Sequence, residues 1–309
     1  MKFAIFGTGG VGGYFGGRLA QAGQDVTFIA RGAHLAAIQA SGLSVDSING
    51  DFTIHPASVT DSPQTIGAVD VVVLAVKAWQ LSDAIEHIQP LLGADTIILP
   101  LLNGMEHMDS LMAKFGREHL IGGLCRISVF IAAPGHIKHV GVPPYIAFGE
   151  LDNSKSQRIE SLYKIFTSLQ GVTVEAPADI TAAMWEKFIF ISGTSGIGAL
   201  TRQPVGDYRS NPESRAMLIA AMNETAAVAR ERGANISATF VDETIQRIDN
   251  LPPQMLASMQ KDMMEGRPSE LNEQTGAVIR MGKAVSVPTP AHEKIYAELL
   301  PLEQKARRK

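Results

Sequence analysis

Short apolar, β-branched runs alternate with stretches of helical period as far as Pro177, and then the alternation stops. Residues 2–6, 26–30, 70–76, 96–99 and 120–122 read as strands of a parallel sheet wrapped by helices, with Ser44 to Ile54 as a small hairpin. The run from Val69 to Val76 is almost continuously apolar, as a strand buried on both faces requires. Residues 127–133, 136–140 and 145–149 are separated by Pro-Gly and Pro-Pro turns, which predicts antiparallel strands closing the sheet edge, and 172–175 adds one more. Beyond Pro177 apolar positions recur three and four apart, and helices are predicted over 180–194, 213–233, 238–250, 258–265, 270–284 and 291–300. The expected architecture is α/β, a parallel-sheet domain over 1–177 followed by an all-helical domain over 178–309, with a cleft between them.

The first strand runs directly into Gly7-Thr8-Gly9-Gly10-Val11-Gly12, and an amphipathic stretch from Tyr14 to Ala22 follows. Strand, glycine spacing and helix together specify a Rossmann-type dinucleotide site. The first glycine permits the tight turn, the second lets backbone N–H groups reach the pyrophosphate, and the third lets helix and strand pack closely. The second strand ends where a carboxylate would hold the ribose 2′-hydroxyl of NAD, and Arg31 stands there instead. A guanidinium pairs bidentately with a 2′-phosphate, so NADP(H) is the expected cofactor; the alternative is a solvated loop arginine.

Composition narrows the class without changing this picture. The chain has 309 residues, 45% of them hydrophobic and 19% charged, with a formal net charge of −4. That balance gives no electrostatic reason to expect nucleic acid, and the basic cluster Lys305, Arg307, Arg308, Lys309 reads as a frayed, solvated tail. No apolar run reaches membrane-spanning length, and Met1-Lys2 leads straight into a strand, so a cytoplasmic protein without signal peptide or membrane partner is expected. The single cysteine, Cys125, reads as a small buried hydrophobe. A homodimer is one of the assemblies left open.

Polar residues in apolar settings supply the candidate chemistry. Lys187, in Met184-Trp-Glu-Lys187-Phe-Ile-Phe, has apolar neighbours that draw its stem inward, and an ammonium can protonate a forming alkoxide; a surface lysine paired with Glu186 is the alternative. Glu270 follows a Pro-containing turn, where Ser269 could cap a helix and an acidic first turn is favoured. Asn103 and Lys77 stand at strand C-terminal edges, where a cofactor meets its substrate, or else in ordinary turns. His136 and His139, three apart in an extended segment, fall on opposite faces, so no metal site is expected.

Taken together, the glycine motif, Arg31, Val76-Lys77, Leu102-Asn103-Gly104, Trp185-Glu186-Lys187 and Pro268-Ser269-Glu270 resemble the ketopantoate reductase family. The stretches Gly135 to Gly141 and Gly282 to Pro290 are also similar to it, so the resemblance spans almost the whole chain. It implies reduction of 2-dehydropantoate to (R)-pantoate by NADPH, on the route to pantothenate and coenzyme A. It further implies Lys187 as general acid, Glu270 as the carboxylate holding the substrate hydroxyls, Ser258 at the substrate carboxylate and Asn103 beside the nicotinamide. Domain closure would exclude water. One departure stands out: the family carries asparagines one and two turns after the lysine, whereas this chain has Ile191 and Ser195, with Ser192 one residue past Ile191 as a possible substitute. Serine offers less reach than asparagine, so the substrate among small 2-oxoacids is the open point. The competing readings are an NADP-dependent reductase of another 2-oxoacid and an NADP-binding redox sensor without chemistry.

Overall fold

The computed structural model describes residues 1–308, so Lys309 of the terminal basic cluster lies outside the described residues. The chain divides into two compact units, one of Met1–Leu102 with His107–Ile180, the other of Asn103–Glu106 with the residues from Thr181 onward.

The first unit is built on a five-stranded parallel sheet. Its elements are β1 (Lys2–Phe6), α1 (Gly10–Gln21), β2 (Asp25–Ile29), α2 (Gly32–Ser41), β3 (Leu43–Ser47), β4 (Phe52–Ile54), β5 (Ser58–Thr60), β6 (Val69–Leu74), α3 (Leu81–Ile88) and β7 (Leu92–Pro100). The strand order β5-β2-β1-β6-β7 puts β1 at the centre, with Phe6 opposite Ile29 on one side and Leu74 on the other. The chain reverses its direction of travel across the sheet at β1, and the C-terminal ends of β1 and β6 are therefore the topological switch point where such sheets bind ligands. Phe3, Ala4 and Ile5 are fully buried there. Helix α1 lies close on the sheet because it is glycine-rich: a Cβ at Gly16 would fall 2.6 Å from Ile5 and 2.8 Å from Phe28. The same helix buries Arg18, whose guanidinium donates to the carbonyls of Asn49 and Gly50 and sits 4.2 Å from the Phe52 ring centroid, tying down the β3–β4 hairpin.

Then follow α4 (Glu106–Phe115), β8 (Gly122–Arg126), β9 (Val129–Ala133), β10 (His136–His139), β11 (Tyr145–Gly149), α5 (Gln157–Thr167) and β12 (Thr173–Glu175). These strands do not close the parallel sheet, contrary to the sequence pattern. β9 and β10 join the hairpin in a sheet of order β4-β3-β10-β9, and β11 lies between β12 and β8 in a third sheet. The open backbone edge of β3 takes β10 as its parallel partner, which the local pattern cannot reveal. The strand expected over 120–122 starts later, at Gly122, and only an isolated bridge from Leu120 to Ile98 reaches the parallel sheet. The fifth parallel strand is instead β5, whose three residues, Ser-Val-Thr, are too short to carry a period. Cys125 is buried on β8.

A partly buried ion pair follows β11. Arg158 donates through Nε to Glu150 Oε1 (2.7 Å) and through Nη2 to Oε2 (2.6 Å), and Ser156 adds a third bond to the carboxylate. Burial opposes ionisation of Glu150, but Arg158 and Ser156 outweigh it and hold the carboxyl below its ordinary range. A depressed carboxyl stabilises the fold fully above its unfolded pKa, and the contribution is lost as pH falls through the folded value. Arg158→Met is therefore expected to cost about 2 kcal/mol at pH 7, a cost that shrinks in denaturant melts taken below about pH 4. Equal stability of the two proteins at pH 7 would sink this account.

The second unit is helical: α6 (Ile180–Thr201), α7 (Val205–Ser210), α8 (Pro212–Glu231), α9 (Phe240–Asp249), α10 (Ser258–Met264), a π-turn over Asn272–Gly276 leading into α11 (Ala277–Ala284), and α12 (Pro290–Arg307). Helix α6 continues to Thr201, well past the expected end at 194, and is buried without interruption from Ser192 to Ala199. Its glycines serve packing rather than termination: Gly193 faces Met222, Gly196 faces Ile295, and Gly198 faces the side chain of Gln260. As far as Arg307, the C-terminal tail is helical rather than frayed. α12 runs to Arg307, which pairs with Glu303 (2.7 Å) and donates to the carbonyl of Ser269 (3.0 Å).

Candidate active site

In the first unit, the glycine loop forms a cradle. Gly7 adopts φ +99°, a conformation that favours glycine, and a Cβ on it would meet Val76 at 2.8 Å. Thr8 is buried and donates to the Ile29 carbonyl through both its amide (3.1 Å) and its hydroxyl (2.9 Å), which ties the loop to the end of β2. The first intrahelical bond runs from Gly13 N to Gly9 O, so the amides of Gly10, Val11 and Gly12 precede it and have no carbonyl of the helix to serve. A Cβ at Gly12 would lie 2.1 Å from the Gly7 carbonyl oxygen, whereas one at Gly9 would meet nothing within 4 Å. The first turn of α1 carries no acidic side chain. A tight turn, open space at Gly9 and an uncapped helix N-terminus fit a pyrophosphate.

Arg31 follows β2, exposed, at the N-cap position of α2, and its side chain makes no hydrogen bond or ion pair among the described residues. No carboxylate stands in its place to reject a 2′-phosphate. Lys77 is also exposed, just past β6; its amide donates to Gln80 Oε1 and its ammonium lies 5.5 Å from the Trp79 ring centroid.

In the second unit, Asn103 and Glu270 meet across 167 residues of sequence: Asn103 Nδ2 donates to Glu270 Oε2 at 3.1 Å. Glu270 is buried, and Gln274 Nε2 donates to the same oxygen at 3.3 Å. The segment carrying Asn103 is held in two further places. Gly104 lies so close to the Glu273 carbonyl that a Cβ would sit 2.9 Å from it, and Glu106 forms a two-bond pair with Arg280, at 3.0 and 2.6 Å. Arg280 also donates to the carbonyl (2.9 Å) and side chain (2.9 Å) of Asn272, at the start of the π-turn, where the shifted register frees carbonyls from their usual partners. On the other side of Glu270, buried Ser269 takes the cap role its sequence suggested: its hydroxyl accepts from Leu271 N, while its own amide and hydroxyl donate to buried Glu303. Burial pushes the neighbouring Glu273 carboxyl up, and the Glu270 charge adds to this against the Asn272 hydrogen bond.

Lys187 is partly buried on α6 and makes no hydrogen bond or ion pair among the described residues, so it is not the partner of Glu186. Ile191 and Ser195 follow at four-residue spacing on the same side of the helix, the first partly buried and the second buried. Ser192 does not substitute for either. It is fully buried and bonded to Thr225 (3.0 Å), which in turn reaches His292, because one residue turns it about 100° away from the Lys187 face. Ser258 is the exposed first residue of α10. The structure thus joins Asn103 to Glu270 and adds Gln274, Glu106 and Arg280, which sequence reading missed. Only the four-residue spacing of Glu270 and Gln274 was a usable signal for any of them.

Residues 3–153 match the family model described as "Ketopantoate reductase PanE/ApbA", and residues 179–303 match its C-terminal model. The chain is 31% identical to "Uncharacterized oxidoreductase YkpB" of Bacillus subtilis (strain 168), over 97% of this chain and 98% of that one. It is 30% identical to a 2-dehydropantoate 2-reductase of Mesorhizobium japonicum, over 96% of each. Among solved structures, a 2-dehydropantoate 2-reductase from Geobacter metallireducens GS-15 superposes with a TM-score of 0.89 at 32% identity, covering 97% of this chain and 99% of that one.

Proposed function

This chain belongs to the ketopantoate reductase family of NAD(P)-dependent oxidoreductases, and we propose that it reduces 2-dehydropantoate to (R)-pantoate with NADPH, in the cytoplasmic synthesis of pantothenate and coenzyme A. The observation that carries the reading is the meeting of Asn103 with buried Glu270, two polar groups 167 residues apart in sequence, with a partly buried lysine, unpartnered among the described residues, on the same unit.

The amides of Gly10, Val11 and Gly12 would hold the pyrophosphate, and Arg31 would pair with the 2′-phosphate. Bound NADPH supplies the hydride that reaches the carbonyl carbon. As the carbonyl π-bond breaks, its electron pair moves to oxygen, and Lys187 Nζ gives that oxygen a proton. Glu270 accepts a hydrogen bond from the substrate hydroxyl, and Ser258 donates to the substrate carboxylate. With no carboxylate partner among the described residues, the Lys187 ammonium is available to the developing alkoxide.

Ile191 favours a second reading, reduction of a different 2-oxoacid, because an apolar side chain one turn past Lys187 offers no hydrogen bond to a substrate hydroxyl. One set of assays tests both readings: oxidation of NADPH and of NADH with 2-dehydropantoate and with unhydroxylated 2-oxoacids, in wild type and Arg31→Ala. We expect 2-dehydropantoate with NADPH to give the highest kcat/KM. Arg31→Ala is expected to raise KM for NADPH by about tenfold or more and leave NADH unchanged. A preference for an unhydroxylated acid would select the second reading, and equal use of both nicotinamides in both proteins would remove the NADP assignment.

A further inference from the structure

Gln274 is a buried glutamine whose amide has only half its needs met. Its Nε2 donates to Glu270 Oε2 (3.3 Å), while its Oε1 is buried and has no hydrogen-bond partner among the described residues. The carboxylate decides which end of the amide faces it, since only the NH₂ can donate. A buried carbonyl without a donor is destabilising, and a methionine of similar length would avoid that cost. Packing therefore gives no reason for an amide at this position; the Glu270 bond does.

We propose that Gln274 is a positioning residue for the reaction: it holds the Glu270 carboxylate in the orientation in which that group receives the substrate. The role rests on the functional reading above. Asn103 and Gln274 donate to one and the same oxygen of Glu270. Two donors on one oxygen restrict rotation of the carboxylate plane, and so set the direction of the second oxygen. The two donors arrive from different parts of the chain. Asn103 comes on the segment tied down by Glu106 and Arg280, and Gln274 lies one turn along from Glu270, inside the π-turn. The wider π-turn changes the angular spacing of side chains along the helix, and such turns recur at functional sites.

The test is a cycle of three variants of the full chain, Gln274→Met, Glu270→Gln and the double variant, read by steady-state kinetics with NADPH and by thermal melting. Gln274→Met is expected to lower kcat about tenfold, with KM for NADPH unchanged and Tm equal to or above wild type. In the Glu270→Gln background the same change is expected to have no further effect on kcat, because Gln274 acts through that carboxylate. A structural role gives the opposite pattern, a lower Tm and equal losses in both backgrounds, and would overturn the proposal. So would a Gln274→Met enzyme with the kcat of wild type. A wild type that reduces no 2-oxoacid with either nicotinamide defeats the functional reading and this role with it, whereas an active wild type matched by Gln274→Met defeats the role alone.

Discussion

Replacing Lys187 by alanine is expected to lower turnover by about 10²-fold or more while NADPH binding survives. The lysine sits partly buried on α6, its side chain without an ion pair or hydrogen bond among the described residues, and a cation kept in that setting without a partner contributes little to the fold. The loss should therefore appear in kcat, with Tm within a few degrees of wild type. Lys187→Arg is a sharper probe. It keeps a positive charge that can steady an alkoxide, but a guanidinium does not give up its proton in proteins, so turnover stays low. Fluorescence titration of NADPH reports binding in the same samples. An alanine variant within about threefold of wild type would remove Lys187 from the chemistry and leave an NADP-binding sensor as the better reading.

The second large effect is at the glycine loop, where two neighbouring substitutions should separate folding from binding. At Gly12 an added methyl would stand 2.1 Å from the Gly7 carbonyl oxygen, a backbone atom that cannot swing aside. Gly12→Ala is expected to distort the turn, lower Tm by several degrees and weaken NADPH by roughly 10²-fold. At Gly9 the methyl meets no protein atom within 4 Å, and φ −79° suits alanine, so Gly9→Ala should melt like wild type. It should still lose NADPH affinity by about 10- to 10²-fold, because the methyl occupies the space where phosphate approaches the amides. Calorimetric melting and NADPH titration of both variants check this. If Gly9→Ala bound NADPH as tightly as wild type, the pyrophosphate would not lie in the cradle described.

Elements with a long, clean period were legible in the chain itself. β1, α1 and β6 stand where the pattern placed them, because each is buried on the faces its apolar residues define. Elements without such a signal were not. β5 has three residues, and α2 buries only Ile38, so neither has enough apolar residues to mark a period. The helix expected over 180–194 continues to Thr201, and its glycines admit Met222, Ile295 and Gln260 at close range, so packing outweighs the cost of glycine in a helix. The basic tail looked solvated for the same reason of locality: its partners, Ser269 and Glu303, include one almost forty residues away.

The sequence by itself determined the glycine loop after β1 and the absence of an acidic residue after β2, since both are read from a few consecutive residues and Gly7 takes a backbone conformation that favours glycine. It also determined which side of α6 Ile191 and Ser195 share with Lys187, because helical period is a local property. Only the tertiary structure decided that Asn103 reaches Glu270, that Glu106 and Arg280 tie down the segment carrying Asn103, and that Ser192 turns into the core toward Thr225. Those contacts join residues up to 174 positions apart. Their existence depends on how helices rotate and pack against one another, and no local pattern encodes that.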